Sequence, residues 1–313
     1  MDEEARTGQH AIELDGLVAA GTTLAKVADG CIWSEGCLWV APGVLRWSDI
    51  PNDRILSYDP GTRTTTVHRS DVGFTNGRAL LDDGRVVQCC HGKRAVEVED
   101  ADGTTHVLAD AYQGVRLNSP NDVVVHSDGS IWFTDPPYGI TQPREGHPGE
   151  REYRDHFVFR LDPGTGELRV VVSDVEAPNG LAFSPDERLL YVSDSSGARS
   201  SGAGNHHVRV YDVDPAAPWT AAKNGRLFAE VDPGVPDGIK VDEHGNVWSS
   251  SASGIQVFAP SGERLGVVDV PEVVANLCFG GPDGRDLYIA ASSSIYHLPT
   301  LVQDAAQVLR SRR

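Results

Sequence analysis

No stretch of this 313-residue chain approaches the roughly 18 consecutive apolar residues that a membrane-spanning helix requires. Basic residues are also scarce: 27 Lys and Arg stand against 45 Asp and Glu, a formal charge of −18. Phosphate repels such a surface, so neither nucleic acid nor an anionic membrane is an expected partner. The excess charge is compatible with cation binding, although solubility alone accounts for it. Cysteine is sparse and unpatterned. Cys31, Cys37, Cys89, Cys90 and Cys278 form no CxxC and no Cys/His zinc spacing, and an odd number fits no complete disulfide framework. They read as small buried hydrophobes in a reducing compartment. The chain also lacks a GxSxG elbow, a P-loop, HExxH and GxGxxG. Its opening, MDEEARTGQH, is acidic and polar, unlike a signal peptide. Residues 1–9 are therefore expected to form a flexible tail, and the cytoplasm is the expected compartment.

What the sequence does have is turns and a repeat. An apolar fraction of 40% with 33 Gly and 19 Pro describes a globular, turn-rich protein. Six segments follow one pattern: EGCLWVAPG from Glu35, NGRALLDDG from Asn76, NDVVVHSDG from Asn121, NGLAFSPDE from Asn179, DGIKVDEHG from Asp237 and NLCFGGPDG from Asn276. Each opens with a carboxylate or carboxamide, usually followed by Gly. Each closes on a turn pair such as Asp83-Gly84, with a strand-length β-rich run between. Second strands follow (VLRWSD, RVVQCC, SIWFTD, RLLYVSD, NVWSSS, DLYIAA), and third strands such as RILSYDPG and FVFRLDPGTG generally come next. The starts recur about every 40–60 residues, the length of a four-stranded blade plus its loops. The expected fold is all-β: a six-bladed β-propeller of four-stranded blades, one domain over residues 10–313. One blade must close across the chain ends. HAIELDG, from His10, is expected to supply its outer strand, and the terminal QDAAQVLRSRR looks helical rather than strand-like.

In a propeller the first strand of each blade is innermost, so the opening residues converge at one mouth of the central channel. They are Glu35, Asn76, Asn121, Asn179, Asp237 and Asn276: two carboxylates and four carboxamides, with no Lys, His or Cys. An all-oxygen set carrying two negative charges suits a hard divalent cation. Calcium, with its longer bonds and looser geometry, fits better than magnesium or zinc. Asn-Gly and Asp-Gly are also ordinary turn signals, and any single copy would pass as a turn. Glu35 does not fit that reading, and converging carboxylates repel one another unless a cation lies between them.

Strand direction then places the connections between second and third strands over the same mouth. Two are long, Tyr138 to Asp155 and the Gly/Ser-rich Ser195 to His207, and long loops in compact domains tend to carry function or to move. The ends of the second strands bring Asp49, His91, Asp135, Asp194, Ser251 and Ser293 near it, with holding of the neighbouring loops as their first expected role. Asp100-Ala101-Asp102-Gly103 shares acidic positions with a calcium loop but lacks the remaining ones, and reads as a hairpin turn. Cys89 and Cys90 lie on a strand and are not expected to be nucleophiles. The tryptophans fall on or beside strands, where blade packing explains them.

These motifs resemble the gluconolactonase and regucalcin (senescence marker protein) family, which is itself similar to diisopropylfluorophosphatase. The resemblance runs from about Cys31 to Leu298. It is carried by SEGCLW, TNGRALLDDGRVVQCCHGKR, RLNSPNDVVVHSDGSIWFTDPPYG, APNGLAFSPDERLLYVSD and PDGIKVDEHGNVW. It implies Glu35, Asn179 and Asp237 as metal ligands, with Asn121 as a fourth ligand or a substrate contact. Arg116 and Asn118 stand where gluconolactonase-like members present residues beside the site. Asn76, His91, Tyr138 and Asn276 complete the expected substrate-contacting set. The chain departs from the family pattern at Cys37, where members typically show proline, and at Cys90, where they show Glu. The implied activity is calcium-dependent opening of a small, sugar-type lactone, with other divalent cations as substitutes. Asp237 would guide the attacking water as general base or attack directly, and cation-bound water is a second candidate nucleophile. The same cup would also suit phosphotriester hydrolysis or a non-hydrolytic rearrangement, and a binding scaffold without turnover is the remaining alternative.

Overall fold

The computed structural model describes residues 14–311 apart from 199–203, 215 and 218. Among these, the strand-length runs pair into six four-stranded sheets and one small hairpin. The inner strands are Ser34–Val40, Thr75–Leu80, Val123–Val125, Pro178–Phe183, Ile239–Val241 and Val274–Gly280. Each is followed by an antiparallel neighbour at a tight turn, such as the one closed by Gly129 at φ 85°, a backbone angle glycine adopts without penalty. The arrangement is the expected six-bladed propeller.

The last blade closes across the chain ends, but not through the expected segment. Its outer strand is Ala25–Ala28, paired with Ser294–Pro299. Of HAIELDG, residues 10–13 lie outside the described residues, and Leu14 accepts hydrogen bonds from the amides of Leu17 and Val18 in a turn. Leu14, Leu17 and Val18 are buried against Leu277, Leu287 and Leu298. The apolar residues that made this stretch look like a strand thus pack a turn into the core. The true edge strand is half-exposed and needs little hydrophobic pattern.

Between blades the core is aromatic and aliphatic. Trp132 and Trp248 occupy the same place in their second strands, and they and Trp47 are fully buried. Trp132 meets Phe183 of the next blade edge to face at 5.2 Å, and Trp248 meets Phe279 likewise at 5.6 Å. Such pairs add about 0.5–1.5 kcal/mol beyond the area they bury. The C-terminal helix, Ala305–Ser311, borders the channel end opposite the opening residues. There it walls a cavity of about 430 Å³ together with Leu38, Val125, Phe183 and Val241.

At the other end, four of the six opening residues, Glu35, Asn76, Asn179 and Asn276, sit at register breaks. Pairing slips between Glu35 and Leu38, Thr75 and Arg78, Pro178 and Leu181, and Val274 and Asn276. A bulge of this kind re-aims a side chain. The glycine that follows makes room for the next blade. A Cβ on Gly180 would lie 2.3 Å from the Asp237 carbonyl oxygen, and one on Gly77 would lie 2.4 Å from Asp122 Oδ1. Through those gaps Gly180 donates to Asp237 O at 3.1 Å and Gly77 to Asn121 O at 2.9 Å. Hydroxyls of the second strands add further ties: Thr134 to Asn179 O at 2.7 Å and Ser193 to Asp237 O at 2.7 Å. The turn reading of these Asn-Gly and Asp-Gly pairs therefore gives way to one of close blade contact.

Gly180→Ala should accordingly cost roughly 1–3 kcal/mol, the usual cost of forcing an extra carbon into packed backbone. Gly149→Ala, where a Cβ meets only ordinary contacts from 3.7 Å outward, should stay within about 0.5 kcal/mol. Thermal melts of the two variants beside the parent check this. Equal stability of the two would show that the blades do not depend on that approach.

Candidate functional site

Glu35, Asn76, Asn121, Asn179 and Asn276 are all buried, and Asp237 is half-buried. Asn276 holds Glu35: its Nδ2 donates to Glu35 Oε2 at 3.0 Å, while its own Oδ1 accepts the Leu277 amide at 2.8 Å. The Gly36 amide donates to the same Glu35 oxygen at 3.0 Å. The Asn179 side chain favours the charged form of the Asp237 carboxyl. Asn76 Nδ2 lies 3.4 Å from His91 Nε2, and Asn76 Oδ1 is buried without a hydrogen-bond partner. These are the side chains of a polar cup.

Two acidic residues that the sequence reading did not single out belong to its electrostatics. Asp122 follows Asn121 where most repeats carry Gly. Its Oδ1 accepts the Val123 amide, and its Oδ2 is buried without a partner. Glu145 comes from the long connection and is buried. Position within the repeat was the available signal for Asp122, whereas Glu145 lies in a loop outside the repeat. Burial pushes the Glu35 carboxyl up to about 7 against the bonds from Asn276 and Gly36, and Asp122 and Glu145 add to the rise. Asp237 is also raised, first by burial and then by Glu35, Glu145 and Asp122. Burial raises Asp122 and Glu145 as well.

A cation among these groups would offset a repulsion that the fold otherwise carries. The donor chemistry fits one: the carboxylate and amide oxygens of Glu35, Asp237, Asn179 and Asn121 are hard ligands. Among the described residues no group of three or more His, Cys, Asp or Glu side chains is placed to hold a metal by itself. Amide oxygens would therefore have to share the coordination.

The connections between second and third strands shape the surroundings. Tyr138 to Asp155 is more ordered than a bare loop. It starts with one helical turn, Tyr138–Thr141, in which Tyr138 is buried. A Cβ on Gly139 would lie 2.5 Å from His91 Cβ, so the turn rests directly on His91. Of Ser195 to His207, residues 199–203 lie outside the described residues, and the mobility expected there is left with them. Beside Asp237 a cavity of about 550 Å³ is walled by Trp33, His206, Val235, Ala252 and Val274. The second-strand carboxylates hold loops. Asp49 binds the Ile32 amide and Arg54, and Asp194 binds the Glu176, Ala177 and Ser196 amides. Asp135 accepts from the Asn118 amide at 2.8 Å.

The remaining expected contacts divide. Asn118 is buried, with Nδ2 bonded to Asp135 O and Asp155 O and with Oδ1 unpartnered. Arg116 is exposed on a short hairpin, where its guanidinium bonds Lys93 O and its amide bonds Glu152. Cys90 is buried and donates to Gly73 O at 2.9 Å. Below the cup, inside the channel, Arg78 donates to Gly36 O, Ser48 and Thr75, tying the first two blades together.

Residues 33–293 match the family described as the SMP-30/gluconolactonase/LRE-like region, and the chain belongs to that family. It is 33% identical to a gluconolactonase of Zymomonas mobilis over 92% of this chain and 84% of that protein. Among solved structures, a gluconolactonase of Xanthomonas campestris is 37% identical with a TM-score of 0.85, covering 93% of this chain and 94% of that one. A calcium-binding protein, regucalcin, of Agrobacterium tumefaciens has a TM-score of 0.72 at 17% identity over 89% and 94% of the two chains. That last likeness is one of fold. No helix among the described residues is long and apolar enough to cross a membrane.

If a cation offsets the crowding of acids, calcium at a hundredfold above its Kd should stabilise the protein by about 2.7 kcal/mol. Glu35→Gln, which removes one of the repelling charges, should raise the melting temperature in chelator and blunt the gain from calcium. Melting curves with chelator and with calcium test both effects. A parent protein indifferent to calcium would contradict the assignment.

Proposed function

We propose that this member of the SMP-30/gluconolactonase/LRE-like family is a hydrolase that opens a small sugar-type lactone with the help of a divalent cation, calcium in preference. The observation that carries this reading is the cup itself: Glu35 and Asp237 gathered with amide oxygens at one channel mouth, beside a cavity of about 550 Å³. The names of the Zymomonas and Xanthomonas relatives support a lactone as substrate, and the hard oxygen donors of the cup support calcium.

Glu35, Asn179 and Asp237 would hold the cation, with Asn121 as the fourth protein ligand. A divalent cation bound there supplies Lewis-acid polarisation of a carbonyl oxygen and stabilises the negative charge that develops on it. Asp237 takes the proton of the attacking water. Its carboxylate is a weak base beside a cation, so its contribution is chiefly position: it lies half-buried at the cavity wall, with its backbone fixed by Gly180 and Ser193. Glu35 stays a ligand, since Asn276 and Gly36 occupy one of its oxygens. Asn118 Oδ1 and Asn76 Oδ1, both without protein partners, are the acceptors available to substrate hydroxyls. Cys90, spent on Gly73 O, offers no carboxylate at the position where the family resemblance implies Glu. The choice among sugar lactones therefore rests on the two amides.

Asp237→Asn keeps an oxygen ligand but discards charge and basicity. Lactone turnover should fall by at least about 10²-fold, the lower end of what a positioned base contributes. Calcium should still bind, more weakly. Steady-state kinetics at saturating calcium, beside calorimetric titration, measure both. Near-full turnover by the variant would reduce Asp237 to a ligand.

A further inference from the structure

His91 is completely buried and touches both the cup and the connection above it. Its Nδ1 lies 3.1 Å from the carbonyl oxygen of Glu145, and its Nε2 lies 3.4 Å from Asn76 Nδ2. A carbonyl oxygen only accepts, so Nδ1 must carry a hydrogen. The Asn76 group facing Nε2 is its amide NH₂, which can only donate, so Nε2 meets it as a bare lone pair and the ring carries a single hydrogen, a neutral state that burial also favours. The two ends of a carboxamide point apart, which turns Asn76 Oδ1 away from the imidazole. That oxygen is buried and unpartnered at a cup position.

We propose that His91 is a positioning residue: bonded to the lid at Glu145 through Nδ1–H, it uses its Nε2 lone pair to fix the Asn76 carboxamide so that Oδ1 faces the cup as an acceptor. The carbonyl of Glu145 sets the tautomer, the tautomer sets the amide, and the amide decides whether the cup meets a substrate hydroxyl with an oxygen or with an NH₂. Packing and backbone bonds hold the residue in place. Gly139 presses on its Cβ, its own amide donates to Phe74 O at 3.1 Å, and its carbonyl accepts from Arg94 N at 3.1 Å. The inference rests on the lactone reading only for its kinetic consequence.

The direct test is nitrogen NMR of protein labelled with ¹⁵N in its histidine rings, with the His91 signals identified by their loss in His91→Gln. The expected result is a neutral ring carrying its hydrogen on Nδ1 at neutral pH. A ring with hydrogen on Nε2, or a doubly protonated one, would overturn the proposal whatever the protein hydrolyses. The second test uses glucono-1,5-lactone. His91→Phe keeps the bulk but offers no lone pair, and should raise KM about tenfold, the upper end for one neutral hydrogen bond, with a smaller change in kcat. His91→Gln, which restores an acceptor, should recover most of that loss. Equal damage from Phe and Gln, in variants with matching melting temperatures, would make His91 a packing residue and contradict the proposal. A parent inert toward the lactone would count against the functional reading alone, and the NMR result would still decide the tautomer.

Discussion

Everything at the site follows from how closely the inner strands approach one another where they begin. Six chains of backbone meet around a narrow channel, and a side chain on the wrong residue there would strike the neighbouring blade. Gly77 and Gly180 have no Cβ, so backbone amides can bond the next blade's carbonyls. The residue before each glycine has nowhere to point but inward. Polar side chains from separate blades are thus brought within reach of one another, and two of them, Glu35 and Asp237, are acids taken out of bulk water. The fold forces a juxtaposition that is electrostatically unfavourable in isolation.

This origin explains which parts could be read from sequence. The blades were legible because a strand-turn-strand unit repeats its polar opening and its Asp-Gly turn at a fixed offset, and Glu35, Asn76, Asn121, Asn179, Asp237 and Asn276 share that phase. Contacts that depend on a loop conformation were not. Glu145 reaches the cup only because the helical turn Tyr138–Thr141 packs on His91, and no periodicity announces that. The outer strand of the last blade was misplaced for a related reason: apolar spacing at Leu14, Leu17 and Val18 serves a buried turn, while Ala25–Ala28 forms its strand by edge pairing. The meaning of Asn-Gly was also hidden, because a turn and a close backbone approach ask for the same residue.

The polar groups are not equally free. Asn276 is consumed in holding Glu35, and the second-strand carboxylates Asp49 and Asp194 are consumed in holding loops. Asn76 and Asn118 each keep one buried amide oxygen without a partner. Buried acceptors are rarely left so, and those that are commonly meet an ion, a water or a ligand. The division between spent and unspent groups separates the residues that build the cup from those that the proposed function assigns to substrate hydroxyls.

The central claim is that this cup needs its cation in order to hydrolyse a lactone. The most direct measurement is proton release from glucono-1,5-lactone and related sugar lactones by protein stripped with chelator, followed as calcium is added back. The account expects hydrolysis to vanish on stripping and to return with a saturable dependence on calcium. Full activity in the stripped protein, or none on any sugar lactone at saturating calcium, would contradict it.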